Sequence, residues 1–72
     1  MQNTKQYESV WSKGRQKFFT LYEAINFSRE RALEDEWWAL VRIKQDRNHF
    51  KQLYIATSNN GKGLMEHYGD PD

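Results

Sequence analysis

Acid–base or nucleophilic chemistry in this chain would have to turn on two histidines, His49 and His67, and neither has the company it needs. A nucleophile requires Ser, Thr or Cys beside a His that an acid orients. Here Cys is absent, His49 falls in "QDRNH", which reads as a turn, and His67 falls in the C-terminal "LMEHYGDPD". Glu66, His67, Asp70 and Asp72 are metal ligands by type. They lack the helical i,i+4 spacing or the Cys and His pairs of a metal site, so they read as a solvated tail. "NNGKG" offers glycines and a lysine, but no Ser or Thr follows Lys62 and the rest of the phosphate-loop pattern is missing. The expectation is a non-enzyme with no catalytic residue, no cofactor and no metal.

What remains is the chemistry of recognition. Phe, Trp and Tyr make up 15% of the 72 residues. Such rings suit either a small core or a binding surface, because each buries much area at low entropy cost. Eleven Lys and Arg stand against ten Asp and Glu, a net charge of +1. That is far from the basic excess of a dedicated nucleic-acid binder. No run approaches the roughly 20 apolar residues of a membrane span, and "MQNTKQYESV" lacks the apolar stretch of a signal peptide. Without Cys no disulfide is available. A soluble, cytoplasmic protein is expected.

The elements that must position these side chains are short. Residues 1–6 read as a flexible N-terminus, 7–58 as one α+β domain, and 59–72 as a loop and tail that could add a short edge strand. "YESVWSKGRQKFF" (7–19) places strand-prone residues on both sides of "SKGR", where Gly14 could supply the positive φ of a tight turn. "TLYE" (20–23) is a T-x-x-E capping box, so a helix should start there and run to about residue 36. Leu21, Ala24, Ile25, Ser28 and Ala32 form its apolar stripe, with Tyr22 and Leu33 at the edge. Phe27 is expected on the opposite side. "WWALVRIK" (37–44) alternates strictly, and "FKQLYIAT" (50–57) returns beyond the turn. The order is ββαββ, a small antiparallel sheet with one amphipathic helix packed on one face.

Alternation then sorts the candidates. If Val41 faces Leu53, the helix side collects Trp37, Ala39, Val41, Ile43, Leu53 and Ile55. The other side collects Trp38, Leu40, Arg42, Lys44, Phe50 and Tyr54, with Gln52 among them, and this is the candidate partner-binding face. One helix covers only one face of a sheet; the N-terminal hairpin either folds over the other face to make a two-sided core or, more naturally, extends the sheet and leaves that face to a partner. Phe27 with Glu34, Asp35 and Glu36 is a candidate second epitope, because three acids at a helix C-terminus oppose the helix dipole.

Arg, Trp and Tyr together are the composition of interface hot spots, so the leading expectation is an interaction protein that binds or inhibits a larger protein partner. A homodimer through the same face is a variant of it. The alternative is a single-stranded nucleic-acid binder, with rings stacking bases and Arg15, Lys17, Arg42, Lys44 and Lys51 as the electrostatic track. In layout, without any specific motif, the hairpin, "TLYEA" helix and strand over residues 7–43 resemble small phage proteins that bind and block host enzymes. That resemblance implies a protein partner and a phage or mobile-element origin.

Overall fold

The computed structural model describes residues 6–35, 37–58 and 63–69. Strands β1 (Tyr7–Trp11) and β2 (Gly14–Phe18) form the N-terminal hairpin. Helix α1 (Leu21–Asp35) follows, then β3 (Trp38–Asp46), β4 (His49–Ser58) and β5 (Leu64–Tyr68). All five strands join one antiparallel sheet in the spatial order β2, β1, β3, β4, β5. The α+β class and the single-sided helix therefore stand, with a fifth strand at the sheet edge. The N-terminal hairpin extends the sheet, since β1 pairs directly with β3.

The helix begins where the capping box places it. The Glu23 amide donates to Thr20 Oγ1 at 3.2 Å, and the Thr20 hydroxyl donates to the Glu23 carboxylate at 3.1 Å. The carboxylate thus takes the hydroxyl proton rather than the backbone amide of residue 20. A cap of this kind typically contributes about 1 kcal/mol. Inward-facing positions Ala24, Ser28 and Ala32 are fully buried. Small residues there let the helix lie close on β1, β3 and β4, its main contacts. Leu21 and Ile25 pack along one flank of this line, while Tyr22 and Leu33 are exposed.

Phe27 occupies the other flank, and this corrects the expected outward position. Its ring lies 5.1 Å from those of Trp11 and Phe18, so it fills the space between helix and N-terminal hairpin. A broad sheet reaches wider around a helix than a narrow apolar stripe implies. Gly14 also differs from expectation. The turn is Ser12–Lys13, and Gly14 pairs with Trp11 in the ladder. Gly63, with φ 124°, is the positive-φ glycine among the described residues. At Gly14 the missing side chain leaves room for the Trp11 ring, which would stand 3.6 Å from an added Cβ.

The β3–β4 register agrees with expectation at one end and departs at the other. Arg42, Ile43 and Lys44 face Gln52, Lys51 and Phe50 as alternation requires, but Val41 faces Tyr54 instead of Leu53. The ladder shifts between Val41 and Arg42, leaving Leu53 as the extra residue of a β-bulge. Beyond it the parity of β4 reverses. Tyr54 and Ala56, not Leu53 and Ile55, become the fully buried partners of Val41 and Ala39 beneath the helix. Gly69 stabilises the irregularity by donating its amide to the Leu53 carbonyl at 2.8 Å.

Trp37 is the second correction to the core. Alternation extended backwards from Ala39 puts it under the helix, yet it is 57% exposed. The helix ends at Asp35, so residue 37 lies past the element that would have covered it. Its backbone is held instead: the amide donates to the Ala32 carbonyl at 3.2 Å, and the carbonyl accepts from Ser58 at 2.9 Å. The first of these is an i to i−5 bond that satisfies one of the last orphan helix carbonyls.

Candidate functional site

The face of the sheet away from the helix is built from alternate residues of three central strands. Leu40 is flanked by Val10 and Ile55, and Arg42 by Glu8 and Gln52. Lys44 lies opposite Phe50, and Trp38 opposite Thr57. Trp38, Leu40, Arg42, Lys44 and Phe50 therefore share this face as expected, and none of the five is buried. Tyr54 does not belong to it. The bulge turns Tyr54 into the core, where it is 0% exposed.

At the end of the face nearest the β3–β4 turn lies a cleft of about 440 Å³ lined by Glu8, Arg15, Lys17, Arg42, Lys44 and Phe50. Glu8 is its floor, 7% exposed. One carboxylate oxygen accepts from Arg42 Nε at 2.7 Å, and the other stands 3.8 Å from Arg15. A buried carboxylate is tolerable on such terms because its charge is paired and hydrogen-bonded. The Arg42 guanidinium also lies over the Phe50 ring, 3.9 Å from its centroid. Two neighbours thus fix its plane, a cation–π contact on one side and a charged hydrogen bond at its Nε. Lys17 and Lys44, both exposed, make no salt bridge among the described residues. Lys51 faces Ile43 in the ladder and so lies on the opposite parity from Phe50, outside this cationic set.

The other end of the face is apolar. Trp38, Leu40, Val10 and Ile55 are half-buried there. Beside them is a shallow hollow of about 340 Å³ shared by Trp37, Trp38, Thr57, Ser58 and Met65. Both tryptophans line it, so the pair meets at one edge hollow rather than being divided between core and surface.

The proposed second epitope is dispersed. Phe27 packs inward, Glu34 pairs with Arg31 at 2.8 Å, and Asp35, 14% exposed at its side chain, stands 3.4 Å from Lys13. Glu36 lies outside the described residues. Arg29 reaches across to β5 instead, where its Nε and Nη2 donate to Glu66 at 2.9 and 2.7 Å. The Tyr54 hydroxyl donates to the same Glu66 oxygen at 2.6 Å. These contacts, the tyrosine hydroxyl first and the guanidinium second, hold the Glu66 carboxyl below its ordinary range. Burial, and then the hydrogen bond to Glu66, pushes the Tyr54 phenol well above its own. The trio ties the edge strand to the helix through the core.

Comparison with protein-family models, curated proteins and solved structures finds no match. The open face is therefore the candidate site. Sequence reasoning missed Glu8, Val10 and Ile55 there. Glu8 and Val10 had a signal, because in "YESVW" they alternate against Tyr7, Ser9 and Trp11. Ile55 had none, since its face depends on the bulge.

Proposed function

We propose that this chain is a non-catalytic interaction protein that binds a larger protein through the sheet face its helix leaves uncovered. The observation that carries this reading is the composition and order of that face. An apolar end with Trp38 and Leu40 continues into a cationic end with Arg42 held between Glu8 and Phe50. Hot spots are typically aromatic and Arg side chains already held in place, with apolar contacts around them that exclude water.

The nucleic-acid alternative fits less well. A base-stacking platform needs open ring faces at nucleotide spacing. Here one face of Phe50 is taken by Arg42. Trp38 lies six ladder positions along β3 from Lys44, the partner of Phe50, which is about 20 Å at strand rise. The test is affinity capture from the native host with tagged protein, with and without nuclease. A directly bound protein should be retained after nuclease treatment and lost with Trp38→Ala once a thermal melt has established that this variant is folded. Retention that disappears with nuclease would reject the reading, and sedimentation of the purified chain as a stable dimer buried through this face would replace the partner by a second copy.

A further inference from the structure

We propose that the cationic end of the open face seats an extended acidic segment of the partner protein. Carboxylates of that segment pair with Lys17, Lys44 and the Nη groups of Arg42, and an adjoining apolar residue packs on Leu40 and Trp38. This rests on the protein-binding reading above and names the chemistry of its partner.

Charge is the first support. Four cations and one carboxylate line the cleft, a local excess of three positive charges in a chain whose net charge is +1. Several cations elsewhere on the surface pair with acids of this chain: Lys13 with Asp35, Arg29 with Glu66, and Arg31 with Glu34. Lys17 and Lys44 make no salt bridge among the described residues, although Lys17 faces Glu8 across the ladder and the charge of Lys44 acts on Asp46; both line the one cleft. An excess of like charges over the single carboxylate among them favours an anionic ligand, because binding relieves the remaining repulsion.

Preorganisation is the second support. Arg42 is oriented by Glu8 through Nε and by Phe50 beneath its plane, which leaves the Nη donors for an incoming acceptor. A planar fork held in this way loses little freedom when it meets a carboxylate. Glu8 also discriminates. Its charge at the cleft floor opposes a densely anionic phosphate backbone more than isolated carboxylates. Continuity with the aliphatic trio Val10, Leu40 and Ile55 supplies the third support, since aliphatic side chains offer a seat for an apolar residue and not a stacking surface for bases.

Fluorescence anisotropy on the full chain tests this with three labelled probes. One is a peptide of alternating Glu with Leu and Trp at its end, one is the same peptide with every Glu replaced by Gln, and one is a short oligothymidylate. The acidic peptide should bind at least about tenfold more tightly than the Gln peptide and weaken as salt rises from about 50 to about 300 mM. The double variant Lys17→Gln/Lys44→Gln should lose about tenfold in affinity with an unchanged melt, both side chains being exposed. Equal binding of the Glu and Gln peptides, or no binding of either, would overturn the acidic seat, and tighter binding of oligothymidylate would transfer the face to nucleic acid. The two readings separate in the capture experiment. If Lys17→Gln/Lys44→Gln still retains a protein that Trp38→Ala loses, the acidic seat fails and the protein-binding face stands. If Trp38→Ala loses nothing, the broader reading fails as well.

Discussion

Ser28→Ala should be more harmful than Ser9→Ala/Ser28→Ala, although the double variant removes more. Both serines are 0% exposed, facing each other between helix and sheet with their hydroxyls hydrogen-bonded. Ser28 Oγ also donates to the Leu40 carbonyl at 3.3 Å. A hydroxyl has one proton, so where Ser28 spends its own on Leu40 it accepts the proton of Ser9. The polar chain therefore runs Ser9 to Ser28 to Leu40. Ser28→Ala strands the Ser9 donor in a dry interface, and a buried unsatisfied group of this kind costs about 1 to 3 kcal/mol. For a domain of this size about 2 kcal/mol lowers Tm by roughly 8 to 16 °C. Ser9→Ala leaves Ser28 still donating to Leu40 and should cost under about 1 kcal/mol. In the double variant no orphan donor remains, and Ala meets Ala across a contact already lined by Ala24 and Ala32. Thermal and urea melts of the three variants, monitored by circular dichroism, give the cycle. The reasoning fails if the double variant is less stable than Ser28→Ala, because then the pair is a net source of stability and not a polar contact kept only by mutual satisfaction.

Three further outcomes are expected. Trp37→Ala should melt close to the parent because the ring is more than half exposed, whereas Tyr54→Ala, which empties a fully buried site, should cost about 3 to 5 kcal/mol; comparing their melts tests the bulged register. Glu66 has a folded-state pKa below its unfolded value, so its contribution is complete above the ordinary carboxylate range and is lost as pH falls through the depressed folded value; Glu66→Gln should flatten that acid limb in a pH series of melts. Gly69→Ala would set a Cβ 2.3 Å from the Gln52 carbonyl oxygen, so it should displace β5 from β4 and abolish protection of the residue 69 amide in hydrogen exchange.

The features legible in the sequence are those decided within a few residues. Thr20 and Glu23 mark the helix start because a cap is a four-residue event. Trp38, Leu40, Arg42 and Lys44 share a face because alternation inside one strand needs no knowledge of its neighbours. The pairing of residues 42–44 on 50–52 agrees with alternation, although a further register shift between Lys44 and Asp46 separates it from the turn. Past Gln52 three consecutive apolar residues, Leu53, Tyr54 and Ile55, satisfy either parity equally well. The choice between them falls to packing under Ala24, Ser28 and Ala32, which a sequence pattern does not contain. Trp37 was misplaced for a related reason: alternation says which side a residue faces, not whether anything on that side reaches it. Glu34 and Asp35, which break the helix-dipole rule, each pair with a local cation, Arg31 and Lys13.

The unequal lengths of helix and hairpin have a dynamic consequence. Fifteen helical residues cover about 22 Å, while the ten residues of β4 extend about 33 Å. The β3–β4 hairpin therefore overhangs its support, and every residue from Lys44 to Phe50 is exposed. An arm without a packed layer above it opens at lower free energy than the sheet behind it. Glu8, Arg15 and Lys17 stand on strands backed by the Trp11, Phe18 and Phe27 rings, whereas Lys44 and Phe50 ride on the arm. The cleft thus lies between strands backed by aromatic rings and an arm with no layer packed above it, with Arg42 where the two meet.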